Sequence, residues 1–223
     1  MLKRRQFLAG LASLALPALL PRGATALPDL LFETYFAIRL GNSQIGEHFL
    51  RVRQEGDVLF AEQEGEAVVR VGPIPVTRIR QSSVEVYRGG LLESLRISNE
   101  SGYYEPRRRS ITAEAAGDRI LLVDNQGRSY EIDRRAMPGT GWRKASLEAP
   151  VLISPRNGKP RTPRVIFHGP AQTQAVGGPA LPSEHWELRG DDMDSQLWYE
   201  AGSERLVRMV MRYEGRDIEY LRL

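Results

Sequence analysis

Ser183-Glu184-His185-Trp186-Glu187-Leu188-Arg189, Leu197-Trp198-Tyr199-Glu200 and Leu206-Val207-Arg208-Met209-Val210-Met211-Arg212-Tyr213 are three short segments divided by Gly190-Asp191-Asp192 and Ala201-Gly202-Ser203. Glu214-Gly215-Arg216 then leads into Ile218-Glu219-Tyr220-Leu221. Glycine tolerates positive φ and aspartate bonds its own backbone, so the separators read as turns and the segments as strands of an antiparallel meander. Within it Leu197 and Tyr199 point to one face and Trp198 to the other, while Val207, Met209, Met211 and Tyr213 share a face. With aromatics on both sides, both faces of this sheet need cover.

The same grammar runs back toward the N-terminus. Phe32, Thr34, Phe36, Ile38 and Leu40 alternate with Glu33, Tyr35, Ala37 and Arg39, which is the period of a half-buried strand. Gly41-Asn42-Ser43 turns the chain, and Ile45 to Arg53 runs back with Gly46 marking a bulge or the close approach of another backbone. Val58–Val71 and Val76–Arg88 follow as longer strands, with Val84 and Val86 on one face and Glu85 and Tyr87 on the other; Leu91–Ser98 is the hairpin partner. Arg107–Ala115, Ile120–Asp124 and Tyr130–Ile132 are further strands. No apolar i, i+3, i+4, i+7 pattern persists, so helices should be few and short.

Residues 134–182 differ. Eight prolines from Pro138 to Pro182 and six interspersed glycines make this a breaker-rich excursion, with Val151-Leu152-Ile153 and Val165-Ile166-Phe167 as its firm strand segments. Neither flank looks self-contained. The expected fold is all-β: one domain over residues 27–223, built as a single antiparallel, strongly curved sheet or a partly open β-barrel, interrupted by the excursion.

At the other end of the chain, Met1-Leu2-Lys3-Arg4-Arg5 is a basic stretch and Phe7–Leu20 an apolar one. Ala24-Thr25-Ala26 has the small-x-small form that signal peptidase reads, so residues 1–26 are expected to be a cleaved secretory signal. Arg4-Arg5-Gln6-Phe7-Leu8 resembles the twin-arginine pattern R-R-x-F-L, so the export and signal-peptidase machinery are the expected partners and a periplasmic, soluble product the expected outcome. The apolar run is shorter than the ~20 residues of a spanning helix. Residues 1–26 carry four basic groups and no acid, which leaves 27 basic against 28 acidic groups in the remainder. The pI near 9.3 therefore belongs to the leader, and nucleic-acid binding loses its electrostatic basis. The absence of cysteine excludes disulfides, thiolate metal sites and cysteine nucleophiles together.

Trp186-Glu187-Leu188-Arg189-Gly190, Leu197-Trp198-Tyr199-Glu200, Leu206-Val207 and Ile218-Glu219-Tyr220-Leu221 follow in the order and spacing of an uncharacterised family of exported bacterial proteins, the domain-of-unknown-function family 6134, which the chain resembles. The opening pair with Gly41, Ile45-Gly46 and His48 is similar to that family's N-terminal hairpin. Met209 and Met211 depart from the more regular β-branched or aromatic pattern. The family has no established activity, so the resemblance implies an exported β-rich fold and nothing catalytic. A more distant similarity to periplasmic lipoprotein-carrier half-barrels is one of fold only.

Motifs for chemistry are sparse. His48, His168 and His185 with Glu184, Glu187, Asp191, Asp192 and Asp194 permit a carboxylate-histidine site to be drawn, but the spacing fits no metal-binding rule, and a solvated turn with a surface histidine is the better account. Gly139-Thr140-Gly141-Trp142-Arg143-Lys144 is no phosphate loop; it reads as a turn delivering Trp142 to the core. No G-x-S-x-G occurs, and no cofactor is expected. Arg107-Arg108-Arg109 and the group Arg156, Lys159, Arg161 and Arg164 are basic clusters, either solvated faces or anion contacts.

The residues expected to line a ligand site are Trp198, Tyr199, Met209, Met211 and Tyr213, because a curled sheet turns one face into a cavity and methionine walls suit loosely specified apolar ligands. The leading expectation is a non-enzymatic envelope protein that binds an apolar or amphipathic ligand, or a partner, in a curved sheet. The alternatives are a hydrolase acting on envelope polymer or glycan, and a structural interaction domain.

Overall fold

A computed structural model describes residues 28–190, 192–213 and 215–223. The signal features at Arg4, Arg5, Phe7, Leu8, Ala24 and Ala26 lie outside the described residues. Thirteen strands form one antiparallel sheet. β1 (Asp29–Leu40), β2 (Ser43–Glu55), β3 (Val58–Val71), β4 (Ile74–Arg88), β5 (Leu91–Ser101), β6 (Arg107–Ala116), β7 (Arg119–Val123) and β8 (Ser129–Asp133) succeed one another by tight turns. The chain then leaves the sheet and returns as β12 (Arg164–Gln174), β13 (Ala180–Arg189), β14 (Ser195–Glu200), β15 (Leu206–Tyr213) and β16 (Arg216–Arg222). β16 pairs with β1, so the order across the sheet is β12 to β16, then β1 to β8.

The sheet curls without closing; β8 and β12 are its two edges. Leu197 of β14 and Ile120 and Leu122 of β7 share one buried cluster, although eight strands separate β14 from β7. Only a strongly curved sheet brings them together. The edges carry their own protection: β8 is five residues long, and β12 has a bulge at Phe167/Gly169 followed by Pro170, features that discourage pairing with another chain.

The breaker-rich stretch divides in two. Residues 134–163 cross the concave face and carry β9 (Met137–Pro138), a 3₁₀ turn (Lys144–Glu148), β10 (Leu152–Ile153) and β11 (Pro160–Arg161), with β9, β10 and β11 forming a small sheet. Residues 164–182 belong instead to the β12–β13 hairpin. Pro170 fits there because β12 is an edge, and Pro182 because β14 begins its pairing with β13 only at Ser183↔Glu200. The 3₁₀ turn is the sole helix among the described residues.

The core lies between the concave face and this crossing segment. Ala136, Met137, Trp142, Leu147, Leu152 and Ile153 of the segment pack against Phe36, Leu50, Leu95, Ile97, Ile111 and Leu197 of the sheet. Each fully buried aliphatic side chain there contributes about 1.5–3 kcal/mol. Gly46 marks a close backbone approach: a Cβ would stand 1.9 Å from the Glu66 carbonyl oxygen and 2.7 Å from Ala67 Cα.

Candidate functional site

On the concave face β3 and β4 present a line of polar side chains. Gln63, Ser83 and Glu85 are buried, while Val84 on the opposite face of β4 is 46 % exposed. The inversion is explained by what crosses above it. Glu85 accepts hydrogen bonds from Gln63 Nε2 at 2.9 Å, Tyr87 OH at 2.5 Å, Thr140 Oγ1 at 2.8 Å and Trp142 Nε1 at 2.8 Å. Two of those donors come from the crossing segment. Burial pushes the Glu85 carboxyl above the ordinary carboxylate range, and the bonds from Tyr87, Trp142 and Thr140 oppose that rise. The Arg143 guanidinium lies over the Tyr87 ring, 4.8 Å from its centre. Tyr199 OH donates to the Gly141 carbonyl at 2.8 Å and fixes the segment from the other side. This part of the face is sealed, with only a narrow cavity of about 80 Å³ between Trp142, Met193, Met209 and Met211.

Past the segment the concave face is open. A groove of about 320 Å³ is lined by Ile38, Leu40, Val69, Ile79, Tyr213 and Ile218 among others, and no residue of 134–163 contributes to it. His48, Gln81 and Tyr220 line both this groove and the narrow cavity, so they form the partition between the sealed and open halves. The His48 ring meets Phe36 and Tyr220 edge-on, with centroids 6.0 and 5.6 Å away. Opposite it, Gly65 leaves the room that the ring needs: a Cβ there would lie 2.8 Å from His48 Nδ1. Desolvation lowers the His48 pKa to about 4, against the opposing hydrogen bond with Gln63. Burial raises the Tyr220 phenol to about 12. Both partition rings are therefore neutral at pH 7 and compatible with an apolar chain beside them.

The five residues expected to line a site separate into three places. Met209 and Met211 face the narrow cavity and Tyr213 the open groove. Tyr199, with no exposed surface, fills the sealed core. Trp198 lies on the convex face, stacked 4.3 Å from His185 and covered by Arg208 at 4.6 Å. A bulge opposite Trp198 and Tyr199 changes the β15 register, so Leu206 rather than Val207 is the partner of Tyr199.

The histidines also separate. His168 and His185 stack at 4.6 Å on the convex face, and Glu187 lies 2.7 Å from His168 Nε2. Among the described residues no group of three or more histidine and acidic side chains is arranged to hold a metal ion. The basic clusters are partly spent on internal contacts. Arg108 pairs with Glu100 at 2.6 Å, Arg161 with Asp192 at 2.8 Å, and Arg156 covers the Tyr213 ring at 4.5 Å.

Sequence reading missed Gln63, Gln81, Ser83 and Glu85, and gave His48 no place at a site. The available signal was the polar series at 81, 83 and 85 in a strand that alternates with Val84 and Val86.

This architecture, a large antiparallel sheet curled around an internal segment and left open, defines a β-barrel-like protein. The crystal structure of a β-barrel-like protein of domain of unknown function DUF1849 from Brucella abortus is similar, with a TM-score of 0.61 over 86 % of this chain and 94 % of that chain at 9 % identity. At that identity the likeness is one of fold. The profile of DUF6134, a domain of unknown function, matches residues 36–223, and the chain belongs to that family. Comparison with curated proteins gives no match.

Proposed function

We propose that this is an exported protein of the bacterial envelope that binds an apolar or amphipathic ligand in the open half of its concave face. The observation that carries the reading is the groove itself: Ile38, Leu40, Val69, Ile79 and Ile218 continue the inward face beyond the reach of the crossing segment and enclose about 320 Å³. Ligand pockets occupy about 300–1,000 Å³. A protein whose sheet served structure alone would gain by covering these side chains, since apolar area left in water forgoes about 25 cal/mol per Å².

The groove offers few polar groups to a ligand; Thr77, Gln81 and Arg216 sit among its walls. An aliphatic chain ending in an anionic or polar group at Arg216 fits this distribution. Met211 and Tyr213 supply adjustable walls where the groove meets the narrow cavity.

Native mass spectrometry of the protein recovered from the periplasm tests the reading by searching for co-purified lipid, with displacement of a fluorescent fatty acid from the groove as the second measurement. We expect a bound mass, and probe binding that Val69→Trp or Ile79→Trp abolishes. No bound mass together with probe binding unchanged in both variants would refute it.

A further inference from the structure

The β3–β4 hairpin projects beyond its neighbours. Pairing of β2 with β3 ends at Gly46↔Ala67 and pairing of β4 with β5 ends at Ile79↔Ser101, yet β3 and β4 continue to Val71↔Ile74. Residues 68–78 therefore form a two-stranded ribbon with no strand on either side. Its tip carries Val71, 69 % exposed, and Ile74, 59 % exposed, around Gly72-Pro73, and Val76 is also exposed. Two-stranded ribbons gain little from their own pairing in water, so an aliphatic tip on one is costly unless something covers it.

Behind the tip lies a second tier. The loop between β5 and β6 is tied to the ribbon by a hydrogen bond from Gly102 N–H to the Arg78 carbonyl at 3.0 Å. It exposes Tyr103 and Tyr104, whose rings meet edge-on at 5.2 Å. Basic residues stand at the same end of the sheet: Arg70 on the ribbon, Arg107 and Arg109 at the start of β6, and Arg216 at the start of β16. None of these four has an ion pair among the described residues, whereas Arg78 and Arg80 are held by Glu66. Glu105 is the acid of the Tyr loop.

Aliphatic tip, tyrosines at the next level and unpaired arginines around them reproduce the order of a bilayer interface: hydrocarbon, headgroup region and anionic phosphate. We infer that this end of the sheet, centred on Val71 and Ile74, docks onto an anionic lipid bilayer. Val71 and Ile74 do not line the groove, so the docking surface stands independently of ligand binding. The groove mouth lies at the same end, through Val76, Thr77 and Arg216.

Flotation with vesicles tests the inference, using the chain from residue 28, which contains every strand among the described residues and lacks the apolar stretch Phe7–Leu20. Vesicles of phosphatidylcholine containing phosphatidylglycerol should carry the protein upward, less so in high salt, and phosphatidylcholine alone should carry far less. Val71→Asp with Ile74→Asp should lower partitioning on the order of tenfold or more while the melting temperature holds. Arg70→Glu with Arg107→Glu should remove the preference for the anionic lipid. Ile79→Trp, which fills the groove from outside the 68–78 ribbon, should float as the unmodified protein does, which separates this result from the ligand reading. Absence of flotation, or equal flotation of the Val71/Ile74 variant, overturns the inference. Concentration-dependent self-association abolished by those same substitutions, without vesicle binding, would assign the tip to a second copy of the chain and overturn it equally.

Discussion

The two halves of the concave face are built from the same strands and differ in what lies above them. In the sealed half, β3 and β4 turn Gln63, Ser83 and Glu85 inward and the crossing segment answers with Thr140 and Trp142. In the open half the same two strands turn Val69 and Ile79 inward, and nothing from the crossing segment answers them. On β3 and β4, the buried polar side chains Gln63, Ser83 and Glu85 thus lie where the crossing segment covers them, and Val69 and Ile79 lie where it does not. A buried carboxylate met by four donors specifies one arrangement of one segment; a bare aliphatic wall specifies no partner in particular.

The largest effect should come from breaking the sealed half. Glu85→Ala leaves the buried donors on Tyr87 and Trp142 without an acceptor and leaves Gln63 Nε2 with Ser83 alone, and should cost about 3–5 kcal/mol in chemical denaturation. Val69→Ala in the open half should cost less than about 1.5 kcal/mol. Comparable losses at the two sites would remove the distinction.

Gly46→Ala comes next, at about 2–4 kcal/mol, because its Cβ would collide with the backbone of Glu66 and Ala67. The site adjoins the open half, so a large loss would show that this half is held rigidly by its ladders though it lacks a filled core. A melting curve close to that of the unmodified protein would mean that β2 and β3 separate there easily.

The partition should respond to acid. His48 has a folded pKa of about 4 against 6.5 unfolded, so the unfolded state binds the proton first as pH falls. Stability should decline between about pH 6.5 and 4 and then level, by at most about 3 kcal/mol. His185 also has a lowered pKa, through burial first and its neighbour His168 second. His48→Gln should flatten part of the decline in denaturation midpoints, and His185→Gln a smaller part. A decline identical in His48→Gln would place the acid sensitivity elsewhere.

The smallest stability effect is expected for Val69→Trp, within about 1 kcal/mol, because the new ring enters space already empty. Its consequence should appear in uptake of the fluorescent fatty acid, which it abolishes. Unimpaired uptake would mean that the groove is not where the probe resides.

Much of the sheet was legible because turns announce themselves: Gly41, Gly56, Gly89-Gly90, Gly117, Gly127 and Gly202 all adopt positive φ between strands. The curvature and the open edges were also accessible from two-sided aromatics and the breaker-rich middle. The inward face of β4 was not. Alternation identifies which residues share a face, but the side on which Glu85 falls depends on Thr140 and Trp142, more than fifty positions away. The β12–β13 hairpin was concealed for a related reason, since Pro170 and Pro182 look like breakers until the edge position of one and the late pairing of the other are known. Trp198 looked like a wall of the cavity, yet the parity of β14 that takes Leu197 and Tyr199 into the core sends it outward to His185.

The pairing of β16 with β1 places the first and last described strands side by side in the middle of the sheet. Until β16 arrives, the chain holds two unfinished arms, each ending in an interior strand with its hydrogen-bonding groups bare. Loss of those seven residues would leave two further edges, at β1 and β15, where none is built to be exposed. Assembly of the seam must also wait for contacts between the most distant parts of the sequence, the slowest kind to form. A truncated or stalled chain would therefore be sticky at its centre, at β1 and β15, while the edge protection on β8 and β12 stayed intact.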